Sequence, residues 1–303
     1  MLNISCSKRD NQLNRVVVFG GSGFVGSHVA DQLSDSGYHV VIYDIHSSPF
    51  LRLDQEMVVG DLSNFELVSE TIKGACAVFN FAALSDLNEA LGKPISTINI
   101  NILGNCHILE CCRLHDVDRF VYASSVYVNS REGGFYGCSK KAAELYIEQY
   151  QKTYGLDFTI LRYGSLYGPR ADSRNGLQRI IANAIKNKTL KYEGDEEASR
   201  EYIHVRDAAI ASVSSLNKDF KNKRIILTGH QPIKVIDLLS MLAEIIGLPS
   251  SAVQFNKIEN EGHYIRTPYH YEPELAEKYI PDTYVDLGEG LLELKRDYDR
   301  NLD

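Results

Sequence analysis

The sequence predicts an α/β fold, a doubly wound parallel sheet accompanied by a smaller α/β lobe. Three observations predict it. Short β-branched runs alternate with stretches of helical periodicity through the first half of the chain, a glycine-rich turn joins the first such pair, and the alternation weakens after Tyr163. Strands and helices alternating on this scale imply parallel pairing, with helices covering both faces of the sheet.

The elements follow in order. After a polar tail at 1–14, RVVVF from Arg15 to Phe19 is the continuous apolar run that a strand buried on both faces requires. The turn GGSG comes next, and Phe24, Val25, Val29 and Leu33 then recur at helical spacing until Gly37 ends the helix. HVVIYD is the second strand and completes one βαβ unit. The alternation continues with a strand MVV at 57–59, a helix from Phe65 to Lys73 and a strand ACAVFNFAA ending near Ala83. A long helical region to Arg113, the strand RFVYASS, a helix from Tyr136 to Tyr154 and the strand DFTILRY follow. GSLYGPRADSRNG is a loop leaving the sheet, Leu177 to Lys186 and Val235 to Ile246 are amphipathic helices, and KRIILTG at 223–229 is a further strand. This divides the chain into a sheet domain, 15–164 plus 201–230, and a smaller lobe, 165–200 plus 231–303.

A chain of 303 residues can bury a full core. Its 44% hydrophobic and 24% charged content argues against disorder and against a membrane class. The formal net charge of -8 disfavours a nucleic-acid partner, because phosphate backbones attract net positive surface. No apolar run approaches the roughly 20 residues that span a bilayer, and the first residues are polar rather than signal-like, so no membrane partner and a cytoplasmic location are expected. The six cysteines form no CxxC pair and do not cluster with histidine at metal spacing, so they are expected as reduced thiols, with no metal site.

Gly20, Gly23 and Gly26 stand three apart, after a strand and at the opening of a helix, and Gly21-x-Gly23-x-x-Gly26 fits the dinucleotide fingerprint. Glycines let the backbone approach a pyrophosphate, and the helix N-terminus, with Phe24 and Val25 in its first turn, offers free N–H groups and a partial positive charge. Asp44 ends the second strand, where a carboxylate accepts hydrogen bonds from ribose hydroxyls and repels a 2′-phosphate; this selects NAD. Asp61 and Leu62 follow the third strand and are placed to meet the adenine.

Tyr136 and Lys140 form Y-x-x-x-K, one helical turn apart on one face. A tyrosine with an ordinary pKa near 10 is a poor base at neutral pH, but a neighbouring ammonium and a nicotinamide cation both favour its phenolate. The pair follows FVYASS, whose hydroxyls emerge at the carboxyl edge of the sheet, where ligands of such folds bind.

These motifs, together with Asp44, GDL at 60–62, NFAA at 80–83, Asn101 with Gly104, YASS at 122–125, LRYGSLYGPR at 161–170 and REYIHVRD at 200–207, resemble the extended short-chain dehydrogenases that act on nucleotide sugars. The resemblance covers almost everything after residue 14. It implies a Rossmann domain in which Tyr136 is the acid/base, Lys140 its electrostatic partner and a ligand of the nicotinamide ribose, and Ser125, with Ser124 as the adjacent alternative, a hydrogen-bond donor to the reacting oxygen. It also implies that Phe81, Ala82 and Ala83 line the cofactor cleft, that Asn101 supports the active-site helices, and that Ser165 and Arg200 face the substrate, Arg200 at its diphosphate.

The implied reaction is C4 epimerisation through a keto-sugar, with NAD regenerated in each cycle and a homodimer formed through helices near 88–113 and 137–153. Net dehydrogenation or reduction and 4,6-dehydration are the alternative reactions, and a noncatalytic NAD-binding scaffold the alternative of another class. Dehydration is disfavoured because Val126 and Tyr127 stand where that branch carries an acid pair. Ten residues separate Ser125 from Tyr136, fewer than the family usually has. Ser165 stands where the family has asparagine, and Asn80 where it commonly has histidine.

Overall fold

The computed structural model describes residues 14–256 and 266–268. The tail at 1–13 and the final part of the expected smaller lobe, 269–303, lie outside the described residues. β1 (Arg15–Phe19) leads through a glycine turn into α1 (Phe24–Asp35), and β2 (His39–Asp44) and β3 (Gln55–Val59) follow. Next come α2 (Phe65–Ile72), β4 (Ala77–Asn80), α3 (Leu87–Gly92), α4 (Pro94–Thr97), a π-helical stretch at Ile98–Gly104 and α5 (Asn105–Leu114). β5 (Arg119–Ser125), α6 (Gly134–Tyr154) and β6 (Phe158–Tyr163) complete this half. Beyond it lie β7 (Ser165–Tyr167), α7 (Gly176–Asn187), β8 (Leu190–Glu193), β9 (Ser199–His204), α8 (Val205–Ser214), β10 (Lys223–Leu227), β11 (Pro232–Lys234), α9 (Val235–Ile246) and β12 (Val253–Asn256).

Seven strands pair in the order β10-β6-β5-β4-β1-β2-β3, every pair parallel. The order reverses between β1 and β4, which opens a crevice at their carboxyl ends, the ligand-binding place of doubly wound sheets. The β-branched runs foreseen as buried strands are buried: Val16, Val17, Val18 and Phe19 are fully covered, as are Val40 and Val41. One core lies on the face with α2, α5 and α6, through Val68, Ile108, Leu109 and Ile147; the other lies under α1 and α8, through Val29, Leu33, Ala208 and Val213.

Several elements differ from their sequence expectation. The strand expected over ACAVFNFAA is in the sheet only at Ala77–Asn80, because its last residues bend over the glycine turn. The long helix to Arg113 is broken into α3, α4, a π-helical stretch and α5. Lys93 (φ -134°) leaves the helical region ahead of Pro94, as a residue preceding proline tends to do. Past β6 the chain forms a three-stranded sheet, β11-β9-β7, and a two-stranded one, β12-β8. A third hydrophobic cluster, with Ala184, Leu190, Leu239 and Ala243 at its centre, holds α7 and α9 onto β8. Between these excursions the chain returns to the large sheet, α8 packing on α1 and β10 pairing with β6.

Candidate active site

A cavity of about 1100 Å³ runs along the carboxyl edge of the sheet, from the β1–α1 turn and the ends of β2 and β3 to the ends of β5 and β6. Its size stands at the upper end of small-molecule sites. Gly20, Gly23, Phe24, Val25 and Gly26 line it, as do Asp44, Asp61, Leu62, Phe81, Ala82 and Ala83. Ser124, Ser125, Tyr136 and Lys140 line the same cavity.

The turn is glycine for reasons the geometry makes plain. Gly20 has φ +72°, and a Cβ on it would stand 2.5 Å from the Ala82 nitrogen. A Cβ on Gly26 would collide with the Gly20 carbonyl. Gly23 caps α1 without any side-chain hydrogen bond, and no acidic residue occupies the first helical turn. The N-terminal amides of α1 therefore face the cavity with no capping side chain or first-turn carboxylate of their own helix, a cradle suited to a pyrophosphate. Asp44 accepts the Ser22 N–H at 3.0 Å and the His46 N–H at 3.3 Å, which fixes its carboxylate beside the turn. Asp61 accepts from Ser63, and those hydrogen bonds hold its carboxyl below the usual range.

The segment Phe81–Ala83 is anchored by buried amides. Asn80 accepts the Ala82 N–H at 3.0 Å and donates to the Asn105 side chain at 2.9 Å. One turn earlier Asn101, 1% exposed, accepts the Leu84 N–H at 2.8 Å and donates to the Leu84 carbonyl at 3.0 Å and to Ser139 Oγ at 2.9 Å. Asn101 lies within the π-helical stretch, and it joins the cleft wall to the helix that bears Tyr136 and Lys140.

Tyr136 sits in the first turn of α6, half-buried, its hydroxyl hydrogen-bonded to Ser125. Burial pushes its pKa up to about 12 against the opposing effect of that hydrogen bond. Lys140 is 2% exposed and donates to the Ala123 carbonyl at 2.7 Å. Its ammonium lies 4.7 Å from the Tyr122 ring centre and 5.7 Å from that of Tyr136. Burial draws it down to about 7, and the charge of Glu144 opposes the fall. The two neighbouring serines separate in role: Ser125 meets Tyr136, whereas Ser124 donates to Glu144 at 2.5 Å and its hydroxyl is already engaged below the site.

Ser165 and Arg200 are not brought to this cavity wall. Ser165 opens β7, in register with Tyr202 of β9, and Arg200 on β9 donates to the Ser199 carbonyl at 3.1 Å. Asp86, Glu89, Asn99, Asp172, Arg174 and Asn175 line the cavity without having been singled out, since each stands in a loop or short helix with no distinguishing motif. Among the described residues, no group of three or more His, Cys, Asp or Glu is placed to hold a metal ion, and no helix is long and apolar enough to cross a membrane.

Comparison with known proteins places this geometry among relatives. The sequence profile of the NAD dependent epimerase/dehydratase family matches residues 16–229. A putative UDP-glucose 4-epimerase of Methanocaldococcus jannaschii is 28% identical over 297 residues, covering 91% of this chain and 95% of the relative. The structure of Thermus thermophilus UDP-glucose 4-epimerase in complex with NAD is 26% identical, with a TM-score of 0.74 over 84% of this chain and 89% of that one. UDP-glucose 4-epimerase from Thermotoga maritima, solved with UDP-glucose, shares the fold with a TM-score of 0.77 over 95% of this chain and 100% of that one, at 24% identity.

Proposed function

The chain belongs to the NAD-dependent epimerase/dehydratase family, and from that premise we propose that it is an NAD-dependent nucleotide-sugar 4-epimerase. The observation that carries this reading is one cavity lined at one end by the glycine turn and Asp44, and at the other by the Ser125–Tyr136 pair above a buried Lys140. NAD fits the residues present: the uncapped N-terminus of α1 would take its pyrophosphate, Asp44 its adenosine ribose, and Phe81–Ala83 would wall its cleft. Bound there, NAD supplies a hydride acceptor that returns the hydride within the same cycle.

Tyr136 takes the proton of the sugar hydroxyl and gives it back to the ketone oxygen. With a pKa of about 12 its phenolate would cost about 7 kcal/mol at neutral pH without help. The cationic Lys140 lowers that cost, as does the positive nicotinamide ring. Ser125 hydrogen-bonds the same oxygen and holds it in line with the tyrosine. Loss and return of hydride on opposite faces of the keto-sugar inverts one carbon with no net oxidation.

The smaller lobe, of which 165–200 and 231–256 lie within the described residues, would hold the nucleotide sugar against the cofactor, with Ser165 and Arg200 on its strands. The protein would act as a cytoplasmic homodimer in carbohydrate biosynthesis. Support for the dimer is apolar side chains on neighbouring helices, where Leu91, Ile95, Ile98, Leu145 and Tyr146 are all exposed. Dehydration is the weaker reading, since Ser125 is followed by Val126 and Tyr127, the first buried and the second packed edge-on against Tyr136.

The test is incubation with UDP-, dTDP-, GDP- and CDP-hexoses, with products read by mass spectrometry and NMR and nicotinamide absorbance followed in parallel. An isomer of unchanged mass without net NADH is expected, and Tyr136→Phe should lower its rate about 10²- to 10⁴-fold while retaining NAD. Accumulation of NADH would make the protein a dehydrogenase, and loss of water a dehydratase. A Tyr136→Phe protein with full biological activity would point to a scaffold.

A further inference from the structure

Beneath the Ser125–Tyr136–Lys140 group lies a charged pair that no step of the proposed reaction uses. Glu144, 4% exposed, stands one helical turn beyond Lys140 on α6. Both its carboxylate oxygens are held by Arg162 of β6, Nε to Oε1 at 3.0 Å and Nη2 to Oε2 at 2.6 Å. Oε1 also accepts the Ser124 hydroxyl at 2.5 Å. The remaining guanidinium nitrogen, Nη1, donates to Asn129 Oδ1 at 3.1 Å, and Asn129 closes the 3₁₀ turn that begins at Val126, directly after Ser125.

A buried ion pair is rarely kept for stability alone, since desolvating two ions consumes most of what their attraction returns. This one touches three segments that must agree for the site to form: the end of β5, the turn after it, and the helix bearing Tyr136 and Lys140. We propose that Glu144, fixed bidentately by Arg162, is a positioning residue that places a carboxylate one helical turn from Lys140 and sets Ser125 against Tyr136 through the side chains of Ser124 and Asn129 on either side of it.

The other charged or titratable groups around Lys140 do not substitute for Glu144. Tyr122 of β5 and Tyr136 of α6 present rings to its ammonium, and burial pushes both phenols up, so they face it as neutral groups. Cys106 of α5, near Tyr122, is likewise pushed up by burial. Arg162 carries positive charge, and its Nε and Nη2 are both taken up by Glu144. The carboxylate is therefore the negative charge that offsets the desolvation of the lysine.

This inference rests on the proposed function for the task of Lys140, but its test can be read without any sugar. With lysine ε-carbons labelled with ¹³C, the Lys140 resonance is identified by its loss in Lys140→Arg and titrated in the intact protein and in Glu144→Gln. The expected result is a Lys140 midpoint about one pH unit lower in Glu144→Gln. The alkaline limb of kcat should move to lower pH by a similar amount, because the lysine loses its charge earlier, and kcat should fall about tenfold while KM changes less than threefold. Should Glu144→Gln fail to fold, Glu144→Gln/Arg162→Met removes both charges and leaves no buried ion unpartnered. Its kcat, with Ser124 and Asn129 released, is expected to fall by the same order. A folded variant with an unmoved Lys140 midpoint, or one with wild-type kcat and pH profile, overturns the proposal. If no nucleotide sugar is turned over by the wild-type protein, the proposed function fails and the ¹³C titration still decides the role of Glu144.

Discussion

Lys140 is held where its charge is unwelcome. Almost fully buried and drawn down to about 7, it contrasts with an unfolded lysine, which keeps its proton to about 10.4. Between those values the unfolded chain binds more protons, so this residue makes stability rise as pH rises from about 7 toward 10, and below 7 its penalty is present in full. In the ligand-free protein Lys140→Met should therefore be more stable than wild type at pH 6.5, by about 1–3 kcal/mol, while turnover is lost. The gain should shrink by pH 9.5. Denaturant unfolding at the two pH values checks this, and a methionine variant no more stable than wild type at pH 6.5 would contradict it. That Tyr136 and Lys140 would share one cavity was legible because the proposed acid/base chemistry needs one helical turn between them, and spacing along a chain is what a sequence displays. Glu144 shares that spacing from Lys140, but its task depends on Arg162, which β6 brings alongside from 18 residues away. Nothing local marks such a pair.

At the scale of elements, the β1–α1 turn is the most constrained piece of the molecule. It is pressed onto the end of β4 at Gly20 and onto itself at Gly26, so that its amides turn toward the cavity. Gly26→Ala forces a backbone shift in that cradle. The purified protein should then hold at least tenfold less nicotinamide dinucleotide than wild type, with a lowered Tm; chromatography of nucleotide released on denaturation measures it, and full occupancy would refute the account. The turn could be anticipated because strand, glycines and helix are contiguous. The breaks in the helical run before Arg113 could not, apart from the signal of Pro94. The π-helical stretch adds one residue per turn without a distinguishing composition, and its purpose, setting Asn101 between Leu84 and Ser139, exists only in the folded protein. The small strands escaped for a similar reason: β7 pairs with β9, and β8 with β12, across more than thirty residues each.

For the molecule as a whole, the exposed apolar residues of α3, α4, the π-helical stretch and α6 are ones that water does not favour. Leu91, Ile95 and Leu145 are each more than 60% exposed. Leu145→Arg is expected to convert the proposed dimer to monomer at micromolar concentration, leaving the fold intact by circular dichroism. Light scattering reads the mass, and an unchanged dimer would move the interface elsewhere. The order of the large sheet has one more consequence. Its strand β10 follows β6 by some sixty residues of sequence, yet lies directly beside it. During synthesis the ribosome must release the whole intervening excursion before that edge is covered. Until then the nascent chain presents β6 as an open template of unpaired amides and carbonyls, so the order of translation itself makes this edge the moment of greatest exposure to misassociation.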